Sequence, residues 1–578
     1  MTAPDEIRKV ASGGCFNVRP DPITVEVIRR RLISISDQVD ANITRTAYSP
    51  VVYEYKDYAV GIVDADGRLL SQCTGGMPLF VADVLGAAIR DGLAIYGKEN
   101  LHEGDIVITN DGGTIGQHLN NVVMYTPVFA PDTHALIAFF VVVVHWLDVG
   151  GRVIGSLSKY ATDIFQEGIQ FRTVKLRSRG EPVEEIYRLI RGNTRFPEEV
   201  MGDIDAQIGG CLMGRDQVVE LVGRYGTTTF NDAIEVMWDQ SEAIARAVIR
   251  DIPDGEYSAD AFLDNDGLNA GMTVPLKVKV IVAGDEMTID LSDLPPERKS
   301  TMNAGRSGGG QSVARLAFRY LIIPNEAANE GSFRPLHLVL PEGTVMSAGP
   351  NSAKGHYNLA LPTLIDLVIR ALGVALPGTV AAGHFATFST IRFVGNQPDT
   401  NALFQCSDSG FGGWGALRGE DGPGPFRTMC HGDTRSIPIE VQEASYPIEI
   451  ERYALRTDSG GAGKFRGGLG LTKSYVVHVP CMFISTFDRT QCPPWGLNGG
   501  HSALPGNVLI FSADGTTKSA LKENIQLEAG DRVLVETGGG GGFGDPGSRS
   551  PEQLRDDVRQ GYVSKESARD IYSGSMEP

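Results

Sequence analysis

The chain has 578 residues, of which 42% are hydrophobic and 21% are charged, and its formal net charge is −19. A chain of this length exceeds the size at which a single hydrophobic core stops growing, so at least two cores are expected. The excess of acidic residues argues against nucleic acid or an anionic membrane surface as a partner, because both would repel it. These bulk properties indicate a globular protein that acts on a small molecule.

The chain carries no signal for a membrane or for secretion. Its longest apolar run, residues 135–144, is too short to span a bilayer. The first residues do not combine a basic region with an apolar one, so no secretion signal is expected. The seven cysteines are scattered and never spaced as CxxC, which is typical of reduced thiols and not of a zinc ribbon or a disulfide frame. We therefore expect a cytoplasmic protein.

Helical spacing and β-branched runs alternate along the chain. In chain order, the sequence predicts a helix at 22–47, a strand at 57–63, a helix at 78–97, strands at 105–109 and 135–144, long helices over 196–252, strands at 276–282 and 287–291, helices at 312–323 and 361–374, mostly strands over 448–535 and a helix pair at 551–573. This order predicts a mixed α/β or α+β fold. It has mixed sheets, Gly-rich loops and a β-rich C-terminal part.

Changes in this pattern divide the chain into five predicted segments. The clearest change is at Pro253-Asp-Gly255, where helical spacing gives way to strands. The segments are a flexible lead at 1–20, an N-terminal α/β domain at 21–255 that carries the candidate metal site, a central α/β domain at 256–447, a β-rich domain at 448–546 and a helical tail at 547–578.

The two buried strands of the N-terminal domain each run into a polar, Gly-rich loop, which is the pattern of strands that end at a functional site. The first loop carries His118, and the second carries His145 and Asp148; Asp57 begins a third β-type run. Histidine and carboxylate side chains are the usual ligands of divalent metals, so these four residues are candidate ligands. The alternative is that one histidine is buried and hydrogen-bonded while the others face solvent.

Two Gly-rich segments were tested as nucleotide-binding loops. Residues 458–464 resemble a phosphate loop, but Asp458 replaces its first glycine and Phe465 replaces the Ser or Thr that binds magnesium. The glycine run at 538–544 follows a strand but leads into Asp545-Pro546 and not into a helix. We therefore predict no cofactor-binding residues for ATP or a dinucleotide in this chain.

A set of motifs extends over nearly the whole chain. They are Arg45-Thr-Ala-Tyr-Ser-Pro50, Lys56-Asp57, Asp64-Ala-Asp-Gly67, Asn110-Asp111, Gly116-Gln-His118, His145-Trp-Leu-Asp148, Glu167-Gly168, Glu330-Gly-Ser-Phe-Arg-Pro335 and the glycine-rich segments 458–470 and 538–546. With these motifs the chain resembles the hydantoinase B / 5-oxoprolinase family, which includes large subunits of acetone and acetophenone carboxylases and caprolactamase.

The resemblance implies an ATP-dependent enzyme built from several kinds of subunit. A partner subunit of the hydantoinase A type binds ATP and phosphorylates a small carbonyl substrate, and the subunit similar to this chain completes the reaction. In the hydrolase branch water opens an activated lactam or imide ring. In the carboxylase branch bicarbonate joins an activated ketone without biotin, and a small additional subunit is expected.

The family's metal ligands carry over to Asp57, His118 and His145, with zinc or manganese as the implied metal. The family often has HxxD at the first histidine, whereas here the fourth position is Asn121. An amide is neutral and a weaker ligand than a carboxylate. Two outcomes follow: either the site is rebuilt, with Asp148 supplying the missing charge or orienting His145, or this subunit has lost its metal.

From this resemblance we predict the catalytic subunit of an ATP-dependent, biotin-independent ketone carboxylase. The predicted catalytic residues are His118, His145 and Asp148, and Asn121 is included in the ligand set. Trp146 beside His145 would offer a flat wall, which favours an aromatic ketone such as acetophenone. The alternatives are a hydrolase of a cyclic amide, such as a hydantoin or a lactam, and a non-catalytic scaffold subunit.

Overall fold

A computed structural model describes residues 20–376 and 378–572. The flexible lead predicted at 1–20 lies outside the described residues except for Pro20. The α-helices are α1 Pro22–Thr46, α2 Pro50–Tyr53, α3 Pro78–Val81, α4 Val84–Tyr96, α5 Glu184–Asn193, α6 Pro197–Tyr225, α7 Thr227–Arg250, α8 Ser312–Ile322, α9 Leu361–Leu372, α10 Ile439–Ser445, α11 Pro551–Gln560 and α12 Lys565–Asp570. In these ranges, no helix is long and apolar enough to cross a membrane.

The strands form four sheets. In chain order they are β1 Tyr58–Asp64, β2 Leu69–Gln72, β3 Ile106–Thr109, β4 Asn121–Phe129, β5 Leu136–His145, β6 Val174–Ser178, β7 Glu181–Pro182, β8 Gly255–Leu263, β9 Val274–Ala283, β10 Glu286–Asp290, β11 Leu336–Val339, β12 Thr390–Asn396, β13 Leu403–Ser409, β14 Ile448–Leu455, β15 Leu471–Val477, β16 Cys481–Thr486, β17 Asn507–Phe511, β18 Thr517–Ser519, β19 Asn524–Leu527 and β20 Arg532–Glu536. The spatial orders are β2-β1-β5-β4-β3-β6-β7 in the first sheet, β11-β10-β9-β8 in the second, β13-β12-β16-β19 in the third and β14-β15-β20-β17-β18 in the fourth.

The predicted mixed α/β fold is confirmed, and its centre is the first sheet, which is buried on both faces. Side chains such as Phe140 and Val142 pack in one core with α1, α6 and α7. Their neighbours Phe139 and Val141 pack in another core with α4 and residues of the second sheet. A strand covered on both sides needs no polar alternation, which explains the uninterrupted apolar run of β5.

Strand β4 was not predicted from the sequence, and it determines the geometry of the site. Thr126 and Pro127 interrupt its apolar run, so its pattern is weaker than that of β5. In the structure β4 pairs antiparallel with β5, and the register places Asn121 directly opposite His145. The first residue of one strand and the last residue of the other are thereby held side by side.

The third and fourth sheets pack face to face. Apolar residues of β12 and β16, such as Phe393 and Phe483, share a core with Tyr475 and Val533 of the fourth sheet. The opposite face of the third sheet carries polar side chains, including Arg392. Strand β12 pairs with β16, so hydrogen bonds of the third sheet cross the domain boundary predicted at residue 447.

The glycine run at 538–542 packs against other backbone segments. A β-carbon at Gly540 would overlap the carbonyl oxygen of Trp414, and one at Gly541 would overlap that of Trp495. Glycine is needed here because the chains approach too closely for any side chain. This packing gives the run a structural role and agrees with the absence of a phosphate-loop pattern in the sequence.

Replacing Gly540 by alanine should therefore destabilise the protein by about 1–3 kcal/mol, the usual cost of overpacking. The matched control is Gly209→Ala, at an exposed position of α6 where an added β-carbon meets nothing. That change should stabilise the helix by about 0.5–1 kcal/mol. Denaturant unfolding of both variants measures the difference, and equal stabilities would contradict the close approach.

Candidate functional site

A cavity lies where the edge of the first sheet faces the polar side of the third. Asp57, His118, Asn121 and His145 come from the N-terminal part of the chain, and Arg392 comes from β12. The remaining lining residues are Val51, Tyr55, Met77, Phe80, Leu157, Gly355, His356, Tyr357, Asn358, Phe388, Thr390, Ser407, Ser409, His431, Ile484 and Thr486. Segments up to about 430 residues apart in sequence therefore meet in one enclosed space.

The predicted ligands Asp57, His118, Asn121 and His145 are brought together in this cavity. The rings of His118 and His145 are 5.0 Å apart between centroids and nearly perpendicular, at 80°. The backbone N–H of His145 donates to the carbonyl of Asp57 at 3.0 Å. The β4–β5 register adds Asn121 beside His145. Three separate segments thus deliver four candidate ligands to one place.

A chain of amides fixes the orientation of Asn121. The carbonyl oxygen of Leu79 can only accept a hydrogen bond, and it accepts one from Nε2 of Gln117 at 3.2 Å. Gln117 therefore turns Oε1 toward Asn121, whose Nδ2 donates to it at 2.8 Å. The other end of the amide, Oδ1 of Asn121, consequently faces Nε2 of His118 at 2.9 Å.

His118 thus lies between two oxygens that only accept hydrogen bonds. Its Nδ1 is 3.3 Å from the carbonyl oxygen of Gly355, and its Nε2 faces Asn121. Burial lowers the pKa of His118 to about 4, so the ring is neutral at pH 7. A neutral imidazole has one N–H, and its other nitrogen presents a lone pair. When Nδ1 donates to Gly355, two lone pairs converge at Nε2 and Oδ1, an arrangement that a cation would stabilise.

Two further ligand atoms in the cavity have no partner. Oδ1 of Asp57 and Nδ1 of His145 are buried without a hydrogen bond. Burial raises the pKa of Asp57 to about 7, against the opposing effect of Arg392 and Arg427. Burial also lowers the pKa of His145 well below its usual value. Two imidazoles, one carboxylate and one amide oxygen suit a borderline cation such as zinc or manganese.

The candidate ligands share a cavity but do not form a closed metal-binding cluster. In residues 20–376 and 378–572, no three His, Cys, Asp or Glu side chains form a cluster that could hold a metal ion. Asn121 occupies the position where the family often has a carboxylate. Asp57, His118 and His145 therefore line one cavity without closing into a metal-binding group. The atom types present, imidazole nitrogen, carboxylate oxygen and amide oxygen, are nevertheless ones that a borderline cation accepts.

Glu167 supports the oxygen that fixes the ring of His118. Its buried carboxylate accepts hydrogen bonds from the backbone N–H of Lys354 at 2.9 Å and of Gly355 at 2.7 Å. Burial is the main cause that raises the pKa of Glu167 to about 8. Glu167 thus holds the backbone just before the Gly355 carbonyl, and the N–H of His356, in the same peptide unit as that carbonyl, donates to the carbonyl of Thr301 at 2.8 Å. Glu167 therefore positions His118 without touching it.

Asp148 does not line the cavity formed by the described residues. It is fully buried, and its Oδ1 accepts from Nη1 of Arg195 at 2.8 Å and from the backbone N–H of Gly155 at 3.0 Å. Its Oδ2 accepts from the backbone N–H of Arg195 at 2.8 Å. The carboxylate therefore stabilises the loop that follows β5. No sequence pattern indicated this role.

Trp146 does not form the flat wall expected from the sequence. Its side chain is 1% exposed and packs edge to face against Phe171. Its Nε1 donates to Oε1 of Gln207 on α6 at 2.9 Å. The alternation of side chains along the strand direction turns Trp146 away from His145 and into the core, which removes the argument for an aromatic substrate.

Several lining residues were missed from the sequence because they come from distant segments. His431 is one: its Nε2 lies 3.0 Å from the hydroxyl of Tyr55, and its Nδ1 is buried without a partner. Burial lowers the pKa of His431 well below its usual value, so the ring is neutral. Arg392 is another, and its signal was available in the alternation of Thr390-Ile-Arg-Phe393, which marks a strand with one polar face.

Comparison with known proteins places the chain in a family. Residues 21–546 match the sequence profile described as Hydantoinase B/oxoprolinase. The chain belongs to this family. The beta subunit of caprolactamase from Pseudomonas jessenii is 32% identical to this family member over 569 residues, which cover 95% of this chain and 95% of the relative.

Two solved structures share the fold. The crystal structure of ATP-dependent caprolactamase from Pseudomonas jessenii matches this Hydantoinase B/oxoprolinase family member with a TM-score of 0.89 at 29% identity, covering 96% of this chain and 97% of the other. The nucleotide-free structure of acetone carboxylase matches with a TM-score of 0.86 at 20% identity, covering 96% of this chain and 79% of the other. The second likeness shows a common fold alone.

The position of Asp148 predicts coupling with Arg195 and independence from the ligand set. Asp148→Asn should reduce stability by about 1–3 kcal/mol because it leaves a buried backbone N–H, of Gly155 or of Arg195, without its acceptor. Asp148→Asn combined with Arg195→Met should cost less than the sum of the two single changes, with a coupling of about 0.5–3 kcal/mol. Denaturant unfolding of the four proteins measures this cycle. Strict additivity would contradict the pairing.

Proposed function

We propose that this chain is the ring-opening subunit of an ATP-dependent hydrolase of cyclic amides. The observation that carries the proposal is that Asp57, His118, Asn121 and His145 line one cavity, in which Oδ1 of Asp57 and Nδ1 of His145 have no hydrogen-bond partner. The similarity to caprolactamase over nearly the whole of both chains supports this reaction class. A lactam or a related cyclic amide is the substrate class, and the reaction takes place in the cytoplasm.

ATP is bound by a partner subunit in this proposal. The glycine-rich segments of this chain pack against other backbone, as Gly540 does against Trp414, and lack the pattern of a phosphate loop. The relative is named as a subunit beta, which supports a division of labour between two chains. The partner phosphorylates the amide oxygen, which makes the ring carbon more electrophilic, and the activated ring then enters the cavity described above.

A divalent cation, zinc or manganese, completes the proposed site. Asp57, His118, Asn121 and His145 would hold it. Oδ1 of Asp57 and Nδ1 of His145 have no hydrogen-bond partner, and the contact between Nε2 of His118 and Oδ1 of Asn121 would open to admit the cation. When bound, such a metal polarises an oxygen of the substrate or lowers the pKa of a water molecule. Glu167 keeps the ring of His118 in place through the Gly355 carbonyl.

The chain's own contribution to the chemistry is to take up a proton. His431 presents a neutral ring with an unpartnered Nδ1 in the same cavity. As the water oxygen bonds to the ring carbon, the proton of that water passes to Nδ1 of His431. The bond between the ring carbon and nitrogen then breaks, and the nitrogen leaves as an amine after accepting a proton. The ring carbon is left as an acyl phosphate, which a second water molecule hydrolyses to the carboxylate and inorganic phosphate. Tyr55 orients the imidazole through its hydroxyl, 3.0 Å from Nε2.

Ketone carboxylation, which the sequence favoured, has less support. The likeness to acetone carboxylase lies at 20% identity, and Trp146 does not line the cavity as the aromatic-ketone hypothesis required. Bicarbonate as a co-substrate and a small additional subunit belong to that branch alone. The proposed hydrolase requires water and an ATP-binding partner.

Product analysis tests the reaction. The complex purified with its ATP-binding partner should open cyclic amides such as caprolactam, 5-oxoproline or hydantoin in an ATP-dependent manner, and labelled bicarbonate should not enter the product. His118→Ala should abolish turnover, whereas His337→Ala, an exposed histidine on β11, should not affect it. Fixed label in an acid product would contradict the hydrolase, and full activity of His118→Ala would indicate a scaffold subunit.

Metal content gives a separate prediction. Elemental mass spectrometry of the purified complex should find one equivalent of zinc or manganese per chain, because the four candidate ligands line one cavity. His118→Ala should lose this metal, and His337→Ala should retain it. His431→Asn should also retain it while losing turnover by about 10²–10⁴-fold, as expected of a group that transfers a proton. Equal metal content in His118→Ala and the unaltered chain would overturn the ligand assignment.

A further inference from the structure

One wall of the cavity carries a buried cation. Arg392 lies on β12, one of the two inner strands of the third sheet, where its cross-strand neighbours are Ser407 on β13 and Ile484 on β16. All three residues line the cavity, as do Thr390 and Ser409 on the same face. Arg392 is only 5% exposed. The guanidinium is therefore enclosed with the candidate ligands and held by a rigid sheet.

The guanidinium of Arg392 is poorly paired by the protein. Its Nη1 donates to the carbonyl oxygen of Gly155 at 3.3 Å, and its Nε is buried with no hydrogen bond. Among the described residues, no carboxylate forms an ion pair with it. Burial lowers the pKa of Arg392 to about 10, against the opposing effect of nearby groups that include Asp57. The guanidinium therefore stays charged at pH 7. An enclosed charge without a partner is costly.

Arg427, in the same region, has a structural role that contrasts with Arg392. Its Nε, Nη1 and Nη2 donate to three backbone carbonyls, those of Thr434, Ser409 and Arg435. Its guanidinium also stacks over Phe411, 3.9 Å from the ring centroid. Arg427 therefore satisfies backbone that would otherwise be buried without partners. Arg392 donates to a single backbone carbonyl, that of Gly155, so most of its N–H groups are available to a ligand.

We propose that Arg392 binds an oxyanion of the ligand, a phosphoryl group or a carboxylate, inside this cavity. The planar fork of guanidinium donors matches both groups and can bind them through two parallel hydrogen bonds. The hydroxyls of Thr390, Ser407 and Ser409 lie on the same wall and can donate to the same anion. A local cation is also needed because the chain as a whole carries a charge of −19, which repels an anionic ligand.

The identity of the anion rests on the proposed function, whereas the site itself does not. An ATP-activated amide carries a phosphoryl group, and the ring-opened product carries a carboxylate. Either group would bring its negative charge to Arg392 while the ring carbon lies toward the candidate metal ligands. The third sheet then binds the charged group, and the first sheet supplies the reacting site.

Titration of the full chain with inorganic phosphate, and separately with acetate, tests the proposal in the presence of a chelator. The unaltered chain should bind phosphate saturably, and R392M should bind it about 10-fold more weakly or worse. R392K should fall between them, because it keeps the charge but loses the fork. R452M, at an exposed arginine of β14, should bind as the unaltered chain does. Displacement of phosphate by acetate assigns the site to either oxyanion, and failure of acetate to displace it assigns the site to phosphoryl groups.

Thermal unfolding excludes a merely structural role. R392M should melt at the same temperature as the unaltered chain or above it, since it removes an unpaired buried charge, whereas R427M should melt lower. Melting of R392M as low as R427M, unchanged anion binding in R392M, or no binding of either anion by the unaltered chain would each overturn the proposal. The titration uses neither ATP nor a cyclic amide, so its result is independent of the reaction assigned to the site.

Discussion

The candidate site depends on one constraint, the placement of His118 between two oxygens that cannot donate a hydrogen bond. The carbonyl of Gly355 is held by the hydrogen bonds of Glu167 to the preceding backbone and by the bond from the N–H of His356 to Thr301. The oxygen of Asn121 is fixed through Gln117 by the carbonyl of Leu79. Neither oxygen can rotate away without breaking a buried hydrogen bond, which costs about 1–3 kcal/mol. Either tautomer of the neutral imidazole directs one lone pair at an oxygen. When Nδ1 carries the proton, that contact lies between Nε2 and Asn121, where a cation would relieve it.

The fold supplies this constraint by joining segments that are far apart in the sequence. Strands β4 and β5 set Asn121 against His145, and the third sheet closes the cavity with a wall whose other face is apolar core. That wall is polar because side chains along each strand point alternately to the core and to the cavity. Arg392 gives it a positive charge. The candidate ligands and a cationic wall thus share one cavity, a combination suited to a ligand with an electrophilic carbon and an attached anion.

The sequence predicted the features that depend on local pattern. Helical spacing located α1 and α6, and β-branched runs located β3 and β5, because burial imposes a period on each element. The family motifs identified Asp57, His118 and His145 as a set. The residues that surround this set could not be predicted from the sequence. The contact of Asn121 with Gln117 depends on loop geometry, and His431 reaches the cavity only when distant segments of the chain pack together. Trp146 shows the same limit, because no local pattern revealed which face of its strand it would occupy.

The protonation state of His118 tests the central claim most directly. Nitrogen-15 NMR of the full chain labelled at histidine and freed of metal, with His118→Gln to assign the resonance, reports both ring nitrogens. The account predicts a neutral ring at pH 7, protonated at Nδ1 toward Gly355 and bearing a lone pair at Nε2, in line with a pKa lowered to about 4. A ring protonated at both nitrogens at pH 7, or at Nε2 alone, would contradict it, because Nε2 would then donate to Asn121 and have no lone pair for a metal.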